Sequence, residues 1–203
     1  TAVLSRPNAN PLIINGDMQV AQRGTSFTGQ TSSLYSVDRF RWVNASQGTW
    51  TVAQSTDVPA GYGFANSMKA DCTTADASPA SGDFIQFYQK IEGQNLQLLK
   101  KGTSSAEAVT VAFWIKSNKT GTVISEIYDY DNTRQISKAF TISSADTWEK
   151  KVLSFPGDTT GALGNDNAAS LSFGIWMGAG SDFTSGTLST TWTASTNANR
   201  AVG

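Results

Sequence analysis

The run VTVAFWIKS, residues 109 to 117, puts Val109, Val111, Phe113 and Ile115 on one side of an extended chain and Thr110, Ala112, Trp114 and Lys116 on the other. A side-chain period of two is the signature of a strand with one buried face; on a helix of 3.6 residues per turn both sets would scatter around the axis. The same reading fits FIQFYQKI (84–91), TVISEIYDY (122–130), KAFTIS (138–143), WEKKVLSF (148–155) and SLSFGIWMG (170–178). Upstream, DRFRWVN (38–44), GTWTVAQS (48–55) and NSMKADCT (66–73) fit three more strands. Clusters of Gly, Asn, Asp and Ser separate these runs. Only GQNLQLLKKG (93–102) reads as helical, with Leu96, Leu99 and Leu98 toward one side, so at most one short helix is expected, near 94–100. Some nine short strands joined by polar loops predict an all-β fold, a sandwich of two antiparallel sheets.

A chain of 203 residues is long enough for one large all-β domain and buries about 70% of its unfolded surface in doing so. Residues 1–10 read as a linker or N-terminal arm and 11–203 as the sandwich. Lys and Arg number 15 against 16 Asp and Glu, a balance that gives no general field for nucleic acid or an anionic membrane. Cys72 is the single cysteine, so no intrachain disulfide forms. No apolar run approaches the roughly 20 residues of a spanning helix, so no membrane insertion is expected. TAVLSRPNANP lacks the apolar core and small-residue cleavage site of a signal peptide, and it starts at Thr rather than Met, as a fragment of something longer would.

The chain has no histidine, which removes the commonest general base, the usual catalytic zinc ligand and every Ser-His triad. The four glutamates, Glu92, Glu107, Glu126 and Glu149, form no recognisable acid and nucleophile pair, and most of the twelve aspartates stand beside turn residues. Lys119-Thr120-Gly121 has no Ser-x-x-Lys partner. No enzymatic activity is expected.

NPLIINGDMQVAQRGTSFTG (10–29), YSVDRFRW (35–42), FYQKIEGQNLQLL (87–99), VTVAFWIKSNKTGT (109–122), FTISSADTWEKKVLSFPGDTTGALGNDN (140–167) and GIWMGAGS (174–181) follow one another in order. Together they resemble the jelly-roll domain of tail-fibre and other appendage proteins of tailed bacteriophages, a domain similar to carbohydrate-binding modules. The resemblance implies a jelly-roll β-sandwich on a virion surface, with host-surface glycans and other virion proteins as partners and a homotrimeric state, since appendages are commonly threefold. It implies that the Asn15-Gly16-Asp17 stretch belongs to a first strand around Leu12 to Val20, with Met18 entering the core after a turn or bulge at Gly16. Asp17 is either a ligand of a structural calcium, as in related modules, or an aspartate bonded to its own turn.

Family members usually continue past TNANRAVG into one more strand beside the first, so the expectation is a jelly roll lacking its final strand. The exposed edge then takes a strand from a neighbouring subunit or another piece of the protein, or TLSTTWT (187–193) folds back to close it.

Sugars stack on flat aromatic rings helped by planar polar groups. Tyr128, Tyr130 and Trp192 lie next to Asp, Asn, Thr and Ser and are the surface candidates; Tyr88, Trp114 and Trp176 lie on strands, where each is either a binding ring or a core aromatic. Trp148 opens a strand and reads as an edge-packing residue. Three uses remain open: a non-enzymatic glycan-binding module, an architectural virion part without a sugar site, and an accessory module of a polysaccharide depolymerase.

Overall fold

The computed structural model describes residues 11–203; the arm assigned to 1–10 lies outside the described residues. The strands are β1 (Ser26–Gln30), β2 (Leu34–Tyr35), β3 (Phe40–Ala45), β4 (Thr49–Ser55), β5 (Ser67–Thr74), β6 (Phe84–Glu92), β7 (Val109–Ile115), β8 (Gly121–Asp129), β9 (Arg134–Ile142), β10 (Glu149–Phe155), β11 (Ala169–Ala179) and β12 (Thr193–Ala194). A seven-stranded sheet runs β12-β9-β8-β11-β6-β3-β2, and β1-β4-β5 and β10-β7 form two smaller sheets. Every pairing is antiparallel.

Packing makes this a two-layer sandwich. Ile91, Ile127, Ile136 and Leu171 of the large sheet close on Phe155, with Val109, Val111 and Leu153 against them. Phe140, Ile142 and Ile175 close on Phe113, Ile115 and Leu153. At the other end Trp42 and Ile85 meet Val52, Trp50, Met68 and Ala70. From β6 to β11 the chain passes between layers, with β6, β8, β9 and β11 in one layer and β7 and β10 in the other. The period-two reading of β7 holds residue by residue: Val109, Val111, Phe113 and Ile115 point inward.

The segment expected to be helical instead forms two 3₁₀ turns, Gly93–Asn95 and Gln97–Leu99. Three residues per turn align Leu96 with Leu99 over the core and throw Leu98 outward, 66% exposed. The one α-helical turn among the described residues, α1 (Ser181–Thr184), lies elsewhere.

No strand forms over Leu12 to Val20. Asn15 and Met18 both take left-handed backbone angles, φ 58° and 57°, which end extended structure. The Asn15 side chain closes the turn by accepting from Val20 N–H and donating to the Val20 and Asp38 carbonyls. Leu12 and Ile13 reach the core, and Met18 does not. In place of a strand partner, the buried Gln89 amide grips Ile14 at both its N–H and its C=O, each at 2.8 Å. Gln89→Leu is therefore expected to cost about 1–3 kcal/mol and to speed hydrogen exchange at Ile14. Unchanged exchange there would show that Leu12 and Ile13 alone hold the segment. At the other end, Thr193 and Ala194 pair with Gln135 and Arg134, so the C-terminal segment extends the large sheet beyond β9 and does not lie beside residues 12–20.

A buried charge cluster ties the loops at one end of the sandwich. The Lys101 ammonium lies 2.6 Å from Asp129 and 3.0 Å from Asp158, and donates to the carbonyls of Thr160 and Gly161. Arg134 clasps Asp158 with Nε at 2.7 Å and Nη2 at 3.2 Å. Burial opposes the Asp158 charge, but hydrogen bonds from Arg134, the Thr160 N–H and Lys101 outweigh it and hold the carboxyl below the ordinary aspartate value. Glu92 beside Arg39, Asp57 beside Lys116 and Glu149 beside Lys151 are shifted the same way. A carboxyl depressed in the folded state contributes stability above its unfolded value and loses it as pH falls through its folded value. With no histidine in the chain, the thermal midpoint should stay level from about pH 5.5 to 8 and fall below about pH 4. A midpoint that drops between pH 7 and 5.5 would contradict this balance.

Candidate functional site

Strand order turns scattered residues into one surface on the outer face of the seven-stranded sheet. Tyr35 pairs with Arg41, Arg41 with Tyr88, Tyr88 with Gly174, and Gly174 with Glu126, so these five stand in one row across five strands. The next row carries Lys90, Ser172 and Tyr128. Neighbouring strands lie about 4.8 Å apart, which separates Tyr35 from Tyr88, and Tyr88 from the β8 row, by about 10 Å. Gly174 sits between them beneath the Gln86 side chain: a Cβ there would meet Gln86 Nε2 at 3.0 Å and Tyr88 Cβ at 3.1 Å.

The rings are held in place. Tyr128 and Tyr130 meet edge to face with centroids 4.9 Å apart. The Tyr130 hydroxyl shares a hydrogen bond with Ser172 at 3.2 Å, and Lys90 lies 4.4 Å from its ring centre. Burial pushes the Tyr130 phenol above its ordinary value, so it stays a neutral hydroxyl. Arg41 donates to the Tyr88 hydroxyl at 2.9 Å and lies 6.0 Å from the ring centres of both Tyr35 and Tyr88. Arg23 stands over the other part of Tyr35, 5.1 Å from its centre.

One side of this face is closed by the C-terminal segment. Arg200 forks onto the buried Glu126 carboxylate through Nε at 2.7 Å and Nη2 at 2.8 Å, and packs over the rings of Tyr128 and Trp176. Trp176 Nε1 and Gln86 also donate to Glu126. Burial works against the Arg200 charge, yet Glu126 more than offsets it and holds the guanidinium above its ordinary value. Ser137 donates to the Arg200 carbonyl, and Phe183 of α1 closes on Phe84 and Trp176. What stays open is the area bounded by Tyr35, Arg41, Lys90 and Tyr130, around a Tyr88 that is itself only 9% exposed.

Of the six aromatic candidates read from the sequence, the fold brings Tyr88, Tyr128 and Tyr130 together on this face, Tyr88 buried, Tyr128 beneath Arg200 and Tyr130 exposed. Trp176 shares the face but is 4% exposed beneath Phe84, Phe183 and Arg200. Trp114 lies on the outside of the opposite layer, its ring 4.4 Å from that of the exposed Tyr62. Trp148 is nearby, donating to Asp57, which also pairs with Lys116. Trp192 packs on the core and donates to the Pro156 carbonyl at 2.8 Å. Among the described residues, no group of three or more carboxylate or thiol side chains converges as a metal site, at Asp17 or elsewhere. Tyr35, Arg41, Lys90 and Arg23 were not singled out by the sequence; their shared surface becomes visible only once β2, β3 and β6 are neighbours.

No protein-family model matches the chain, and no curated protein matches it significantly. Among solved structures it is similar to the enzymatically active domain of tailspike protein 4 of bacteriophage CBA120, with a TM-score of 0.46 and 17% identity over 83% of this chain. The match covers only 20% of that chain, and a likeness this distant carries nothing about activity.

Proposed function

We propose that the chain is a non-enzymatic glycan-binding module of a phage virion appendage, and that its binding surface is the outer face bounded by Tyr35, Arg41, Tyr88, Lys90 and Tyr130. The observation that carries this reading is the pair of exposed rings, Tyr35 and Tyr130, set with the fixed polar donors Arg41 and Lys90 around the buried Tyr88 on a sheet whose other face is packed core. Flat rings accept the apolar faces of sugars, and the donors between them select hydroxyl patterns. The phage context, exposure on the virion and a homotrimeric state rest on the resemblance of the sequence to appendage jelly rolls. A trimer would add avidity to weak single sites.

The test is titration of the purified chain with surface polysaccharide fragments of candidate bacterial hosts. Binding should be measurable, and Tyr130→Ala and Tyr35→Ala should each weaken it about tenfold or more, a loss of roughly 1.4 kcal/mol. A flat response from a folded chain across the fragments would overturn the glycan reading. Release of reducing ends would overturn the non-enzymatic one.

An architectural role is the second reading, favoured by one feature. Among the described residues β7 pairs only with β10. Beside its other edge a groove of about 280 Å³ runs between Leu12 and Ile13 and the β7 backbone, over a floor of Ile91, Leu96, Ile127 and Phe173. An extended segment of a neighbouring chain with alternate apolar residues fits such an edge.

A further inference from the structure

We infer that the ligand of this face is an acidic glycan whose carboxylate is received by Arg41, an assignment that rests on the glycan-binding reading above. The starting observation is an imbalance of charge. Arg39, Arg134 and Arg200 each face a carboxylate, Glu92, Asp158 and Glu126 respectively. Among the described residues Arg23, Arg41 and Lys90 have none within ion-pair distance, and all three stand on the same open surface. Two carboxylates on the neighbouring strands are already committed, Glu126 to Arg200 and Glu92 to Arg39. The chain as a whole carries a net charge of -1, so this positive patch is local and uncompensated.

The geometry around Arg41 is that of a prepared receptor. One guanidinium nitrogen, Nη1, is fixed by the Tyr88 hydroxyl, and the group is flanked by the rings of Tyr35 and Tyr88. Rings on both sides restrict the side chain while leaving its other N–H groups free to donate. Its remaining N–H groups have no acceptor among the described residues. A planar fork with free donors pairs with a carboxylate through two parallel hydrogen bonds, stronger and more directional than a neutral contact. Lys90 lies two positions along β6 from Tyr88, roughly 7 Å by strand rise, and Arg23 stands on the other side of Tyr35. A sugar ring lying against the exposed Tyr35 would thus place a ring carboxylate at Arg41 while a further unit of the chain meets Tyr130 and Lys90. Neutral glycans would leave three cations on this face unanswered.

The experiment is calorimetric titration of the full chain with three sets of oligosaccharides of equal length: hexuronates, the same hexuronates after carboxyl reduction, and sulfated neutral oligomers. Hexuronates should bind at least about tenfold more tightly than their reduced forms, and raising salt from about 0.05 to 0.5 M should weaken only the charged ligands. Arg41→Gln should weaken hexuronate binding about tenfold and binding of the reduced form much less, with Lys90→Gln a smaller loss of hexuronate binding. The thermal midpoint of Arg41→Gln checks that the fold is intact. Equal binding of hexuronates and reduced forms would overturn the acidic assignment while leaving the glycan reading standing. Preference for the sulfated set would overturn the carboxylate assignment. No binding by any set, with the chain folded, would overturn both.

Discussion

Lys101→Met should lower the unfolding free energy by about 3–5 kcal/mol, although the methionine keeps most of the buried stem. The ammonium is the centre of a closed arrangement in which Asp129 and Asp158, 0% and 4% exposed at their side chains, depend on it. Removing one partner from a buried ion cluster leaves the other charges desolvated without compensation, which costs far more than the cluster gained by forming. Arg134 still serves Asp158, and backbone N–H groups of Asp131 and Asn132 still serve Asp129. The carbonyls of Thr160 and Gly161 lose their donor, and the loop between β10 and β11 loses its anchor to the segment before β7. Urea unfolding should show the whole loss, with Lys150→Met as control: Lys150 is exposed and makes no ion pair among the described residues, so its change should stay within about 0.5 kcal/mol. A loss below about 1 kcal/mol for Lys101→Met would show that water enters the cluster and solvates the carboxylates.

Glu126→Ala should cost about as much, roughly 3–5 kcal/mol, and by a different route. Glu126 is 1% exposed and receives the Arg200 fork, the Trp176 indole N–H and the Gln86 amide. Its removal strands a largely buried guanidinium and an indole donor, and releases the contact that presses the C-terminal segment onto β8 and β9. Hydrogen exchange should therefore rise at Asn199 and Ala201, whose amides bond to Thr196 and Phe183. Glu126→Gln keeps an acceptor without the charge and should lose less. If Glu126→Ala left exchange at Ala201 unchanged, the segment would be held by Phe183 and its ring contacts instead.

Much of the fold was legible because burial on one face imposes a period of two. The strands from β3 to β11 were each read from that pattern, with boundaries displaced by a few residues, most at β9, which begins at Arg134 rather than Lys138. β1 escaped because Ser26–Gln30 is polar and irregular, with Gly29 at φ 66°; β2 and β12 are two residues each, too short for any period. The expected first strand failed for a local reason. Asn15 stands in the middle of the expected strand, and its left-handed backbone and side-chain bonds end the extended run.

The site was half visible. Tyr88, Tyr128 and Tyr130 stood out as aromatics, but sequence alone does not say which strands are neighbours. Tyr88 and Tyr128 share a face because β11 inserts between β6 and β8, a long-range pairing with no local signal. Arg41 and Lys90 carried no pattern at all. A lone arginine in a strand looks like any solvated charge until the register places it opposite Tyr88 and the ion pairs of the other arginines are known.

The most direct test of the glycan-binding face is amide shift mapping of the isotopically labelled chain as a hexuronate oligomer is added. Shifts should concentrate at Tyr35, Arg41, Tyr88, Lys90, Ser172 and Gly174, with Trp114 and Tyr62 on the opposite layer undisturbed. Shifts confined to the Trp114 and Tyr62 surface, or none at saturating sugar, would contradict it.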